Sequence, residues 1–415
     1  MTIAPNSAPH TVPELDPDHA DLIRATLPLV GSRIDDITPL FYRKMFQAHP
    51  ELLRDRFNRG NQKQGAQQRA LAASIATFAT HLVDPTLPHP RELLSRIGHK
   101  HASLGVTPDE YKIVHEHLFS AIVEVLGADV VTPEIAAAWD RVYWLMATTL
   151  IDLEQSLYES AGVQPGDVFR ETCVVQRIDD PSGAATFIVE SATPALPLPD
   201  FQPGQYISVG ADLPDSARQL RQYSLTNHPG SARLAFTVRK VPADSNTPAG
   251  EVSTWLHNTI SPGNRLQITL PFGDLTIDPA ATTPLVLISA GIGVTPMAGI
   301  LEHLAAETPS RRTLVLHADR SAITHPLHDT VVDLVAALHN ADLRVWYSAL
   351  DHGRMNLAEV DLPEDADYYL CGGAGFLQSL HAQLLAAGIP SERVHFELFS
   401  PNDWLLGSYG AAPSV

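Results

Sequence analysis

The chain has 415 residues, of which 44% are hydrophobic and 18% charged. That balance fits folded domains rather than disorder, and roughly one domain per 150 residues predicts three units. A formal net charge of -19 argues against nucleic acid or anionic membrane as partner, and two distant cysteines, Cys173 and Cys371, exclude a disulfide framework.

Residues 16–161 read as helix after helix, with apolar positions recurring at helical spacing. Polar side chains intrude where apolar ones belong. Leu94, Ile97, His101 and Leu104 share one face, so His101 points into the core, whereas His99 lies roughly 200° around the helix and faces away. A lone inward histidine is also a common satisfied core residue. Gln67 shares a face with Leu71, Ile75, Phe78 and Leu82, and Glu154 follows Ala147 and Leu150 on an inward stripe. A buried carboxylate needs a partner. Tyr42 adds a phenol beside Phe41 and Phe46, and Pro39 is expected to kink the helix that carries it. Four such intrusions in one bundle predict a pocket with chemistry in it.

A Gly/Pro hinge at 162–166 precedes a change of texture. Over 168–277, alternating segments such as 186–190 and 234–239 lie between Pro/Gly turns, which predicts a small antiparallel β-barrel. Within it, Arg221 and Tyr223 share one strand face and Gln222 and Ser224 the other. An arginine fork suits a pyrophosphate, a tyrosine ring can lie against an isoalloxazine, and a serine hydroxyl can reach a flavin nitrogen. The same run is also an ordinary amphipathic strand. Gly250, followed by Val252, Ser253 and Thr254 at a helix start, exposes backbone N–H groups, either an anion site or a plain N-cap.

After Pro279, apolar strands at 284–289, 313–317, 343–347 and 368–370 alternate with helical stretches, the rhythm of a parallel, doubly wound sheet. Gly291, Gly293, Val294, Thr295 and Pro296 follow the first of these strands. Such glycines let the backbone approach a dinucleotide, and the proline suits a first helical turn. Cys371 ends the last strand, as a small core residue or as a group facing a ligand. The most apolar window, 285–301, is broken by glycines and Pro296 and suits a buried strand turning into a helix rather than a membrane span. Residues 1–13 lack a basic start and an apolar core, so a cytoplasmic protein is expected. Residues 402–415 read as a loose tail.

Taken in order, Arg-x-Tyr-Ser, Gly-x-Val-Ser, Gly-x-Gly-x-Thr-Pro and Cys-Gly resemble the ferredoxin–NAD(P)H reductase family over about 167–401. Upstream, Phe41-Tyr42, Phe57-Asn58, Asn61-Gln62, Gln67-Gln-Arg69, Lys100-His101 and Tyr111 are similar in order and spacing to the globin domain of flavohaemoglobins. The resemblance implies three parts and a tail: an all-α globin (1–162), an antiparallel β-barrel for FAD (167–278), an α/β doubly wound NAD(P)-binding domain (279–401) and 402–415. It implies haem b with His101 as the proximal iron ligand and Phe57 packed on the haem. Lys100 adjoins that ligand, Tyr42, Gln67 and Leu71 line the distal pocket, and Tyr111 and Glu154 hydrogen-bond around His101. FAD would be held by Tyr206, Arg221, Gln222, Tyr223, Ser224, Gly250, Val252, Ser253, Glu397 and Phe399. NADH or NADPH would meet Gly291, Gly293, Val294, Thr295, Pro296 and Cys371. Val294, Gly373 and Ser400 depart from the family's pattern, so the choice between the two nucleotides stays open. The implied activity is that of a monomeric nitric oxide dioxygenase using dioxygen. The alternatives are a flavohaem reductase acting on a lipid hydroperoxide, a quinone or ferric iron, and a haem-based sensor of oxygen or nitric oxide.

Overall fold

The computed structural model describes residues 15–63, 65–84, 86–87, 94–243, 248–350 and 353–399, without the side chains of Asn61, Lys63, Ala66, Gln67, Gln68, Arg69, Ala72 and Ala73. Its first part is helical: α1 (Pro17–Ser32), α2 (Ile34–Ala48), α3 (Pro50–Asp55), α4 (Arg59–Lys63), α5 (Ala66–Val83), α6 (Ser95–Leu104), α7 (Pro108–Leu126) and α8 (Pro133–Ser160). The starts follow local chemistry. Asp16, Thr107 and Thr132 each precede a proline, and Thr107 and Glu110 form a reciprocal capping box. The core gathers Phe41, Tyr42, Met45, Phe78, Leu94, Leu118, Trp139 and Val142. α2 runs through Pro39 as one helix.

The second part holds β1 (Phe169–Asp179), β2 (Ala184–Ser191), β3 (Tyr206–Asp212), β4 (Arg218–Ser224), β5 (Arg233–Arg239), α9 (Glu251–Thr259) and β6 (Arg265–Thr269). The strands lie in the order β4-β3-β6-β1-β2-β5, all pairs antiparallel. A bridge between Leu225 and Phe236 joins the two edges and closes the barrel. Phe187, Ile207, Val209, Leu234 and Phe236 fill the interior.

The third part alternates β7 (Leu285–Ala290), α10 (Val294–Glu307), β8 (Thr313–Asp319), α11 (His328–Ala337), β9 (Ala341–Tyr347), β10 (Asp367–Gly372), α12 (Ala374–Ala386) and β11 (Val394–Leu398). The sheet is parallel, ordered β11-β10-β7-β8-β9. Strand order reverses between β7 and β10, so the crevice for a ligand opens at their carboxyl ends.

α6 lies where the three parts meet. Ser103 accepts a hydrogen bond from Ser208 of β3, His99 Nδ1 accepts from the N–H of Gly273, and Arg96 donates to the carbonyl of Phe396 in β11. His99 therefore faces away from the helical core and toward the barrel. Among the described residues no helix is long and apolar enough to cross a membrane.

Candidate functional site

The helical end of the site is built around His101 near the close of α6, where Gly105 (φ 71°) turns the chain into the α7 cap. His101 Nδ1 lies 2.9 Å from Tyr111 Oη and 2.9 Å from Glu154 Oε1. Tyr111 stands one turn inside α7 and donates its hydroxyl to the same carboxylate oxygen. Glu154, on α8, is only 2% exposed. Burial and the Glu154 charge push the Tyr111 phenol well above its usual range, so it remains a donor. With Tyr111 donating to the carboxylate, a proton on His101 Nδ1 has Glu154 as its acceptor, which leaves Nε2 as the ring nitrogen available to a ligand. No hydrogen bond to the described residues uses Nε2. An imidazole fixed in this way through a carboxylate is the arrangement that orients a metal ligand.

Tyr42 of α2 is buried in the same core, its ring 5.9 Å from that of Phe57 at a steep angle and 5.5 Å from that of Phe46. Burial raises its phenol well above the usual range, partly offset by a hydrogen bond with Gln62. Leu71 and Phe57 both pack against this core. The side chain of Gln67 lies outside the described residues, so Gln62, which periodicity did not single out, is the amide seen with Tyr42.

On the barrel, Arg221 of β4 donates to the carbonyl of Leu220 at 2.7 Å and to Asn58 Oδ1 of the helical domain at 2.8 Å. Tyr223 stacks on Phe236 with centroids 5.6 Å apart, and Ser224 is buried. Gln222 donates to Ser208 Oγ, which donates to Ser103 Oγ, which donates to the carbonyl of Lys100. This chain of hydrogen bonds runs from the barrel strand to the neighbour of His101. Tyr206 is buried at the start of β3.

Gly250 caps α9 without a side chain, leaving the first-turn N–H groups to other acceptors. Val252 and Ser253 are buried just inside that turn, and Arg59 reaches across from α4 to Glu251 (3.0 Å) and Asp215 (2.5 Å). Arg59 Nε, Glu251 Oε2 and Thr254 Oγ1 are buried without partners. The orphaned donors, Arg59 Nε and Thr254 Oγ1, beside free N–H groups and two guanidinium groups fit an anion such as a pyrophosphate, whereas the Glu251 carboxylate opposes one.

Between these two ends lie Lys100 and Glu397. Burial draws the Lys100 amine below its usual range, opposed by the Glu397 charge. The Glu397 carboxyl is pushed up to about 7, chiefly by burial, against the pull of Arg96. Glu397 Oε2 has no partner, and Phe399 beside it is about half exposed.

At the sheet, Gly293 is required by close approach: a Cβ there would stand 2.3 Å from the carbonyl oxygen of Cys371. The turn after β7 thereby seats on the end of β10. Val294, Thr295 and Pro296 form the buried first turn of α10, with Thr295 Oγ1 bonded to the carbonyl of Ile292. Cys371 is fully buried at the carboxyl end of β10, and burial raises its thiol well above the usual range. Sequence reasoning missed Arg96, Arg59 and Ser208. Each has a partner in another domain, and no local pattern marks them.

Comparison with known proteins covers the whole arrangement. The Globin family model matches residues 40–150. The flavohemoprotein of Rhizobium meliloti is 36% identical over 399 residues, covering 92% of this chain and 97% of its own. That of Bacillus subtilis is 35% identical over 407 residues, covering 93% and 98%. Among solved structures, a flavohemoglobin from Malassezia yamatoensis with bound FAD and heme superposes with a TM-score of 0.84 at 36% identity, covering 94% of this chain and 100% of that one. The FAD/NAD binding domain of a nitric oxide dioxygenase from Vibrio cholerae aligns with a TM-score of 0.52 at 34% identity, over 56% of this chain and 99% of that one.

Proposed function

The chain belongs to the flavohaemoprotein family, and from that premise we propose that it is an NAD(P)H-dependent nitric oxide dioxygenase. The observation that carries the proposal is the His101, Glu154 and Tyr111 cluster, held on three helices in a chain that also carries a reductase. When bound, FAD turns a two-electron donor into a source of single electrons, and haem iron reduced by them supplies the place where dioxygen and nitric oxide combine to nitrate.

The residues present fit those groups. His101 would hold the iron through Nε2, with Phe57 and Leu71 against the porphyrin. Glu154 and Tyr111 keep Nδ1–H polarised, which makes the imidazole a strong donor and favours oxygen activation over reversible carriage. Tyr42, protonated at any physiological pH, can donate a hydrogen bond to a polar distal ligand. The start of α9, with Arg221, would take the FAD pyrophosphate, and Tyr206, Tyr223, Gln222 and Ser224 would flank the flavin beside Glu397 and Phe399. The turn from Gly291 to Pro296, with Cys371, would seat the nicotinamide nucleotide. The same reading makes the chain a cytoplasmic monomer whose partners are dioxygen, nitric oxide and NADH or NADPH.

The test uses the chain loaded with haem and FAD. Aerobic nitric oxide loss is expected to accelerate with NADH or NADPH and to vanish in His101→Ala, while ferricyanide reduction through the flavin survives. A loaded wild type that oxidises nucleotide without accelerating nitric oxide loss refutes the proposal.

A further inference from the structure

We propose that Gln219 is a positioning residue that ties the segment 57–59 of the helical domain to the flavin strand β4, so that filling the FAD site and ordering the haem pocket are energetically linked. The proposal goes beyond the cofactor assignments above and rests on them. Gln219 lies on β4 two residues before Arg221, and only 1% of it is exposed. An amide shut away from water so completely needs partners for both of its ends. Most of those it finds belong to the helical domain.

The donor end serves the close of α3. Gln219 Nε2 donates to the carbonyl of Arg54 at 2.9 Å and to that of Phe57 at 3.2 Å, with the Leu53 carbonyl 3.5 Å away. The last carbonyls of a helix have no partner within it, and the N–H groups of Arg56 and Phe57 both turn back to Leu52. The acceptor end serves the next stretch: Oε1 takes the Arg59 N–H at 3.3 Å and the Arg221 guanidinium at 3.4 Å. Carbonyls on one side and N–H groups on the other fix which end of the amide is which. Glutamate here would set a charge against the carbonyls, and leucine would leave every one of these groups without its bond.

The segment held in this way faces both cofactor sites. Phe57 meets the rings of Tyr42 and Phe46 at 5.9 and 5.2 Å between centroids, both at steep angles. Its neighbour Asn58 accepts from Arg221 at 2.8 Å and from the Gly60 N–H at 3.0 Å through the same oxygen. Arg59 reaches Glu251 in the first turn of α9. The Arg221 fork therefore touches Gln219 and Asn58 while it stands ready for an anion, and an anion that takes the fork sets where both amides stand. Phe57 is one residue away. Whichever ligand binds first, at the flavin site or on the distal side of the haem, orders this segment, and the second meets it already ordered.

Neighbouring contacts across this boundary are weaker anchors. Asp55 Oδ1 accepts from the Arg218 N–H at 3.3 Å, and Arg59 pairs with Asp215, whose side chain is 57% exposed. Exposed ion pairs hold little. Gln219 is buried and grips main-chain groups, so it fixes the course of the segment and not one side chain alone.

The test uses the full chain loaded with ferric haem, with FAD removed and then restored. Azide affinity is read from the Soret band with and without FAD, and FAD affinity from flavin fluorescence with and without azide. Wild type is expected to bind azide about fivefold or more tightly when FAD is present, and FAD more tightly by the same factor when azide is present, because coupling between two sites is reciprocal. Gln219→Leu is expected to bring both factors to within about twofold of unity while haem and FAD still bind. Gln219→Glu, which keeps the length and loses the donor end, is expected to do the same and guards against a packing defect in the leucine variant. A merely structural role would weaken the two affinities without uncoupling them. Wild-type factors near unity overturn the proposal, as do wild-type factors retained in either variant that takes up both cofactors. If the wild-type chain takes up no haem or no FAD, the cofactor assignments themselves fail, and the proposal with them.

Discussion

Replacing Glu154 by glutamine tests the link between geometry and chemistry at its most buried point. The wild-type carboxylate is 2% exposed, accepts the Tyr111 hydroxyl and lies 2.9 Å from His101 Nδ1. Glutamine keeps the volume but offers one neutral oxygen to two donors, so at least one charge-assisted bond is lost, at a cost of about 1.5–3 kcal/mol. Loss of a carboxylate behind a ligating histidine ordinarily lowers activity by about ten- to a hundredfold. The direction at the iron follows from charge. A weaker proximal donor stabilises the ferric state less, so the haem reduction potential rises. The assay pairs spectroelectrochemistry of the haem with nitric oxide consumption, using ferricyanide reduction to show that the flavin half is intact. A potential and a nitric oxide turnover both equal to wild type, in a variant that binds haem normally, would show that Glu154 does not act through His101.

Glu397 carries a pH dependence whose sign is fixed. Its carboxyl is raised by burial from 4.5 to about 7 in the folded chain, worth about 3 kcal/mol at 1.36 kcal/mol per unit. Below about 4.5 the group is protonated folded or unfolded. As pH rises toward 7 the unfolded chain loses that proton first, so the wild type loses stability relative to Glu397→Gln, and the difference levels off above 7. Paired thermal melts across this window check it; a gap that does not change with pH refutes it. Gly293→Ala would force a methyl to within 2.3 Å of a backbone carbonyl. About 1–3 kcal/mol of overpacking and loss of nucleotide-driven flavin reduction are expected, with carbon monoxide binding to the reduced haem unchanged. Arg96→Ala removes both the hydrogen bond to the Phe396 carbonyl and a guanidinium 4.2 Å from the Phe396 ring. Flavin-to-haem electron transfer is expected to slow several-fold while haem ligand binding stays normal, as stopped-flow traces at the two absorbance bands would show.

Much of the fold follows from patterns within single elements. The alternation at 234–239 lies inside β5, the apolar run at 284–289 coincides with β7 apart from one residue at each end, and the inward stripe of α8 carries Glu154 into the core. These were legible because strand and helix periodicity, and the glycine demanded by a tight turn, are properties of a few consecutive residues. The same holds for His101, whose spacing from Leu94 and Ile97 sets its direction without reference to any other domain.

Other features depend on how the domains dock. His99 turns away from its own core, as its spacing predicts, but only the packed chain brings it to the N–H of Gly273. Arg96 and Phe396 are 300 residues apart, and Arg221 meets Asn58 across a domain boundary. Sequence alone determined which way each side chain leaves its own backbone. The tertiary structure decided which charges and hydrogen-bonding groups face one another, because those interactions depend on separation in space and on exclusion of water, neither of which a local stretch of chain contains.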